Sequence, residues 1–459
     1  MTPDPDHCDL LLHRADLVAT VDGARTELRG GWVAVTGGMV TAVGGAGEPP
    51  PQAAEAVDVG GCLVTPGLVN THHHLYQNLT RAYPGMTDKP LFGWLTSLYP
   101  LWRGLDEESV YASTFVGLAE LALSGCTTST DHLYVHPRGA GDLLGASIVA
   151  ARDLGMRFHP TRGSMSLSAK DGGLPPDDVV ADDDEILAAS EEAVSRHHDR
   201  SPGAMVRVAL APCSPFSVTE RLMTATAELA ERLDVRLHTH FAENAEDDAF
   251  SLATFGCRPT EYLERTGWAT SRTWVAHCVR PDDAEQRRLA AAEVSVAHCP
   301  SSNLILGSGI APVVPMRRYG ISVGLGVDGS SSADSGSMWL EARQAMLLGK
   351  LRDGPASLTA RDVLEMATEG GADCLGRRGE IGTLVPGSVA DIAVWRLDGP
   401  LYAGAVADPV EAWLRCGPTS AWHTIVAGRF VVRSGALVHP GVPQALRLHT
   451  RHAIRIQGS

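Results

Sequence analysis

Through its middle the chain repeats one pattern of hydrophobic and polar positions: a short apolar run that ends on polar residues, then a longer amphipathic stretch. Runs of this kind fall at 68–74, 127–133, 157–163, 206–212, 235–241, 273–278, 294–300 and 321–328, which makes eight. The clearest of the intervening helices spans 106–123. There Asp106 can cap, Glu107 and Glu108 suit the positive N-terminal end, Tyr111, Phe115, Leu118 and Ala122 make one apolar face, and Gly125 ends the helix. Eight strand-then-helix units predict an α/β fold built as a (β/α)8 TIM-like barrel, whose functional side chains gather at the C-terminal ends of the strands.

The two ends of the chain have another texture. Short strand-like runs broken by glycine occur at 10–12, 17–21, 32–36, 39–43, 56–59 and 62–64, and return within 379–395 and 422–438. This predicts a small composite β-sandwich domain made from residues 1–66 and 385–459, with the barrel inserted between them at 67–384. The Gly/Pro/Asp-rich run 172–184 follows the third barrel strand and is expected as a long loop, either a lid or an acidic solvated connection.

Composition narrows the class. With 459 residues, 44% apolar and 20% charged, the chain is long enough for a barrel plus a smaller domain. A formal charge of -16 disfavours a nucleic-acid partner. No apolar run approaches the length of about eighteen residues that a membrane helix needs, and the start of the chain is acidic where an export signal is basic. The nine cysteines are odd in number, scattered, and never spaced as C-x-x-C, which fits reduced thiols and a cytoplasmic location. The last stretch, with Arg447, Arg451 and Arg455, reads as a tail or a subunit contact.

The polar residues that close the apolar runs carry the chemistry. His72 and His74 alternate and so share a side, while His73 points the other way. His240 closes the fifth run with Glu243 three residues on, His277 closes the sixth, and Asp328 the eighth. Three neutral imidazoles and a carboxylate suit Zn2+ or Fe2+ and leave room for water, whose pKa such a metal lowers from 15.7 to about 7. Glu243 is placed to act as a carboxyl acid/base. His277 is either a further ligand or the group that orients water and polarises the substrate, and Asp328 can serve as ligand and base together.

The set T-H-x-H after P-G-L-V-N, H-x-x-E, an isolated strand-six histidine, H-C-P-S-S-N (298–303) and G-V-D-G-S-S-S (326–332) resembles the amidohydrolase superfamily, in particular its mononuclear-metal deaminases and triazine hydrolases. The resemblance extends over nearly the whole chain, including P-G-S-V-A-D-I-A-V at 386–394. It implies that His72, His74, His240 and Asp328 bind one divalent metal, Zn2+ or else Fe2+, that Glu243 shuttles the proton, and that His277 assists water and substrate. Binuclear relatives carry a bridging lysine on strand four, and the run 206–215 has none. The stretch 72–82 (HHHLYQNLTRA) is similar to the 8-oxoguanine deaminases, a group close to the hydroxyatrazine-type ethylaminohydrolases.

That resemblance implies a metal-dependent deaminase of a small amino-substituted heterocycle in purine catabolism, converting 8-oxoguanine to urate and ammonia. Triazines, isocytosine, guanine and pterins are the alternatives. A non-catalytic scaffold of the same fold would not need the full ligand set with Glu243. Gln77 and Arg162 are the expected substrate contacts beside His277, His298 and Asn303 shape the pocket, and His132 and His136 have no assigned role. The family suggests a homo-oligomer.

Overall fold

The computed structural model describes residues 7–458; the acidic start of the chain, at residues 1–6, lies outside them. Eight parallel strands close into a barrel in chain order: Leu68–Asn70, Cys126–Leu133, Arg157–Ser164, Ala209–Pro212, Leu237–Phe241, Thr273–His277, Ser295–His298 and Val323–Leu325. The last pairs with the first through Leu325 and Asn70. The strands are buried on both faces, as parallel strands covered by helices must be. Helix Glu107–Leu123 forms as its sequence dictates: the Asp106 side chain accepts from Ser109 N at 2.8 Å, and Ser109 Oγ accepts from Asp106 N at 2.9 Å.

Several barrel strands are shorter than their apolar runs. The first stops at Asn70, so His72, His73 and His74 lie in irregular backbone ahead of a 3-10 turn, Leu75–Thr80. The eighth stops at Leu325, three residues before Asp328. Beyond the strand ends the backbone is strained: Ala242, Cys278 and Asp328 have φ of 46°, 49° and 59°, and His277, at the end of the sixth strand, has 71°. Left-handed backbone costs a non-glycine residue about 1–2 kcal/mol, and strain of this kind gathers at functional sites.

The chain ends meet in one nine-stranded mixed sheet in which Cys62–Pro66 lies between His7–Ala19 and Ile392–Arg396. Its core is aliphatic, with Leu12, Val18, Val33, Val64, Ile392, Val394 and Ile425 all at or near zero exposure. Sheet and barrel are joined by a buried ion pair. Asp391, just ahead of strand Ile392–Arg396, accepts from Arg157 Nε at 2.9 Å and from Arg157 Nη2 at 3.1 Å, and both side chains are 1% exposed or less. Gly125 sits at the same seam with φ of 81°, and a Cβ there would lie 2.3 Å from the Trp395 ring.

The chain closes with a helix, Val442–Gln457. It packs on helix Glu107–Leu123 and on the turn Leu75–Thr80, with Arg455 bonded to Asp106, His452 to Glu108 and Gln457 Nε2 donating to Leu79 O at 2.8 Å. Among the described residues the cysteines are free thiols, all but Cys416 buried, and no helix is long and apolar enough to cross a membrane.

Candidate active site

Four of the histidines and a carboxylate converge at the C-terminal mouth of the barrel. The His72 and His74 Nε2 atoms lie 3.4 and 3.3 Å from Asp328 Oδ1, and His74 Nε2 lies 3.1 Å from His240 Nε2. His277 Nε2 stands 3.7 Å from the other oxygen of Asp328. His73 is turned away, its Nδ1 accepting from His74 N at 2.9 Å.

The hydrogen bonds behind these rings fix where their protons are. His74 Nδ1 is 2.8 Å from His132 O, and His240 Nδ1 is 2.5 Å from Cys213 O. A carbonyl only accepts, so in each ring Nδ1 carries the hydrogen and Nε2 presents a lone pair. Burial lowers the His74 pKa and takes that of His240 to about 3, so neither ring provides a second proton. Burial also opposes charge on Asp328, yet the facing His72, His277 and His74 rings hold its carboxyl well below the usual carboxylate range. Two lone pairs 3.1 Å apart beside a carboxylate repel one another unless a cation lies among them. His72 Nε2 is likewise buried without a hydrogen-bond partner. The donor set fits a metal ion, and two overlapping groups, His72-His74-His132-His240 and His72-His277-Asp328, each bring their ligand atoms within 4.8 Å of one another.

Glu243 stands across the cavity. It is 3% exposed, its Oε2 lies 3.6 Å from His277 Nε2, and Ser308 Oγ donates to its Oε1 at 3.4 Å. Burial is the main reason its pKa rises to about 7, against the opposing effect of His277. Asp247 accepts from the Glu243 backbone N–H at 2.8 Å and adds like charge behind it. Burial acts to lower the His277 pKa, but the Glu243 and Asp328 carboxylates outweigh it and the net direction is upward. His277 Nδ1 is 3.0 Å from Asn303 Oδ1, which gives Asn303 a definite place in the site.

Residues 63–431 match the family model described as the amidohydrolase family. The chain belongs to that family. It is 47% identical over 411 residues to the 8-oxoguanine deaminase of Pseudomonas aeruginosa, covering 90% of this chain and 91% of that one. It is 36% identical to the hydroxydechloroatrazine ethylaminohydrolase of Pseudomonas sp. strain ADP, over 93% of this chain and 91% of the relative. Its structure overlays that of the atrazine chlorohydrolase from Arthrobacter aurescens TC1 complexed with zinc, with a TM-score of 0.92, 34% identity, and 97% and 100% of the two chains covered. The protein is an amidohydrolase-family deaminase with a histidine-rich metal site.

The cavity of this amidohydrolase is lined by Gln77, Tyr134, Cys213 and Phe216 beside the histidines, with Leu91, Trp94, Leu95 and Leu306 as its apolar walls. Gln77 is 1% exposed and neither its Oε1 nor its Nε2 has a partner. A buried primary amide with both ends unpaired is poised for a ligand that donates and accepts.

Arg162 is not brought to this cavity. It lines a separate outer cavity of about 300 Å3 with His136 and Asp142, and its guanidinium bonds to Gly163 O. Strand parity explains the difference. His159 faces Trp274 inside the barrel, with ring centroids 5.9 Å apart, so Thr161 and Gly163 share its side and Arg162 projects outward. Loop 172–184 does not line the cavity either, although Val179 packs in the same apolar cluster as Trp94 and Leu95.

Three side chains of the site carried no functional reading from sequence. His132 lies within the histidine group, with Nε2 3.0 Å from Ala211 O and Nδ1 buried without a partner. His238 lies behind His72, and Asp247 behind Glu243. The spacing H-x-H at 238–240 was a usable signal, because alternate strand residues face the same way; nothing in the pattern marked Asp247.

Proposed function

We propose that this amidohydrolase is a zinc-dependent 8-oxoguanine deaminase that releases urate and ammonia. Its 47% identity to an 8-oxoguanine deaminase over 90% of the chain carries the choice of substrate. The unpaired Gln77 amide at the cavity wall supports it, since an amino-lactam ring edge offers the complementary donor and acceptor. His72, His74, His240 and Asp328 would hold one Zn2+, or Fe2+, and the fourth barrel strand Ala209–Pro212 contributes no lysine to bridge a second. Bound there, the metal supplies Lewis acidity that lowers the pKa of water from 15.7 to about 7.

The protein's own groups then divide the proton work. Asp328, a carboxylate at the centre, accepts the proton that water loses as its oxygen adds to the amine-bearing carbon. Glu243, with a pKa near 7, holds a proton for the adjacent ring nitrogen at neutral pH. Asp328 passes its proton to the amine, which leaves as ammonia, while the hydroxyl returns a proton to Glu243 and the carbon becomes a carbonyl. His277, tethered by Asn303 and facing both carboxylates, orients the water and polarises the substrate.

The test is ammonia release by the zinc-loaded protein on 8-oxoguanine, guanine, isocytosine, isoxanthopterin and hydroxyatrazine. The reading requires 8-oxoguanine to have the highest kcat/KM. A clear preference for hydroxyatrazine or isoxanthopterin would overturn the substrate assignment and leave the deaminase chemistry in place.

A further inference from the structure

The His72 ring is held unlike its two neighbours. His74 and His240 rest Nδ1 on main-chain carbonyls, which no substitution removes, whereas His72 Nδ1 meets a side chain, His238 Nε2, at 2.8 Å. His238 Nδ1 in turn lies 2.8 Å from Trp274 O. That carbonyl only accepts, so His238 Nδ1 carries the hydrogen. The His238 ring is 0% exposed, is stacked on the Trp274 indole with centroids 4.4 Å apart and planes at 19°, and has no carboxylate among its hydrogen-bond partners. Burying it as a cation there would go uncompensated, so it is neutral and its Nε2 is an acceptor. The hydrogen between the two rings therefore belongs to His72 Nδ1.

We infer that His238 is a positioning residue that fixes His72 in its Nδ1–H tautomer, so that the Nε2 lone pair is presented to the metal centre. The frame around it is closed. Trp274 Nε1 donates to Thr71 O at 3.0 Å, which ties the stacking platform to the residue preceding His72, and His238 and Trp274 are register partners on adjacent barrel strands. Both inward positions of the H-x-H spacing thus serve the centre. His240 offers it a lone pair, and His238 governs which nitrogen of another ring does so. Without the acceptor, His72 can place its hydrogen on Nε2, where it would point at the cation. Loss of such supporting partners typically costs 10–100-fold in metal affinity.

The inference rests on the reading of His72 as a ligand, and the experiment separates the two. A competing chromophoric chelator is titrated into the zinc-loaded full-length protein and into its His238→Phe, His238→Gln and His72→Ala variants. Phenylalanine keeps the volume and the stack but removes the acceptor; the glutamine amide oxygen can restore an acceptor near the position of Nε2. The expected result is zinc released about 10–100-fold more readily from H238F, with H238Q close to the parent protein and H72A weaker than the parent. Unchanged zinc retention in H238F, or equal loss in H238Q and H238F, would overturn the inference, the second outcome indicating a packing role alone. Undiminished retention in H72A would instead overturn the ligand reading beneath it. If H238F does not fold, long-range 1H–15N spectra of the histidines in the unsubstituted protein decide the matter. An Nδ1–H pattern for His72 upholds the inference and an Nε2–H pattern overturns it.

Discussion

Gly329→Ala tests the pocket without replacing any proposed ligand and keeps the Gly329 N–H that donates to Asp328 Oδ1 at 2.6 Å. A Cβ at position 329 would lie 1.8 Å from Gln77 Oε1 and 2.3 Å from its Cδ. To reach even 3.0 Å the oxygen must retreat by 1.2 Å, the difference between 3.0 and 1.8. The backbone at 77 has little freedom to follow, because its N–H is held by His74 O at 2.9 Å within the buried turn Leu75–Thr80. The amide must therefore swing into the cavity it lines. The clash is with the flexible end of a side chain that borders the cavity, so stability changes little, whereas a displacement of about 1 Å in a positioning group costs on the order of 10²-fold in rate. The assay is kcat/KM for ammonia release from 8-oxoguanine, read beside zinc content and a thermal melt. The expected result is a loss of about 10²-fold with zinc retained. Repeating the substitution in a Gln77→Ala background should largely abolish that loss, since the two changes then act through one group. A parental kcat/KM for G329A, or the same loss in both backgrounds, would refute the placement of Gln77 in substrate binding.

Removing the carboxylate that joins sheet to barrel, by Asp391→Ala, strands the buried Arg157 and frees the Ala427 N–H that Asp391 also accepts at 2.8 Å. Breaking a buried pair in this way costs about 3–5 kcal/mol, so the urea midpoint should fall steeply; a change under about 1 kcal/mol would show the pair to be dispensable. Glu341, beneath Ser301 of the H-C-P-S-S-N motif, has its pKa pushed up by burial to about 8 from 4.5. The native state then holds a proton that the unfolded chain releases between pH 4.5 and 8, so this group's contribution is present below that window and is lost as pH rises through it. The full loss is about 5 kcal/mol, and Glu341→Gln should flatten the dependence of stability on pH across the window. An unchanged slope in that variant would assign the dependence to other groups.

Much of this was legible because the informative residues recur at equivalent places. The eight apolar runs correspond to eight barrel strands, and each residue proposed as a ligand lies at or just beyond one of them. The early end of the eighth strand was hidden because apolar Val327 follows its last paired residue, Leu325. The cavity roof was hidden for another reason. The segment LFGWLTSLYPLW, which forms helix Leu91–Trp102, does bury Leu91, Trp94, Leu95, Leu98, Tyr99 and Trp102 at helical spacing, but Pro100 falls inside it and argues against a helix from sequence. The closing helix Val442–Gln457 buries Ala445, His452 and Ile456 at helical spacing, a pattern overshadowed by Arg447, Arg451 and Arg455 along the same stretch. Arg162 could have been read from strand parity and His238 from its H-x-H spacing with His240, whereas His132 was one among eighteen histidines, and only the fold shows that its ring reaches the centre.

The most direct test of the proposed chemistry is Glu243→Gln, which keeps the shape of the side chain and removes its acid/base proton. Zinc content and ammonia release from 8-oxoguanine are measured together on the variant and on the parent. The predicted result is a parental zinc content with turnover reduced by about 10²-fold or more. Substantial remaining turnover would contradict the role of Glu243 as the proton carrier, and loss of zinc would show that it serves the metal instead.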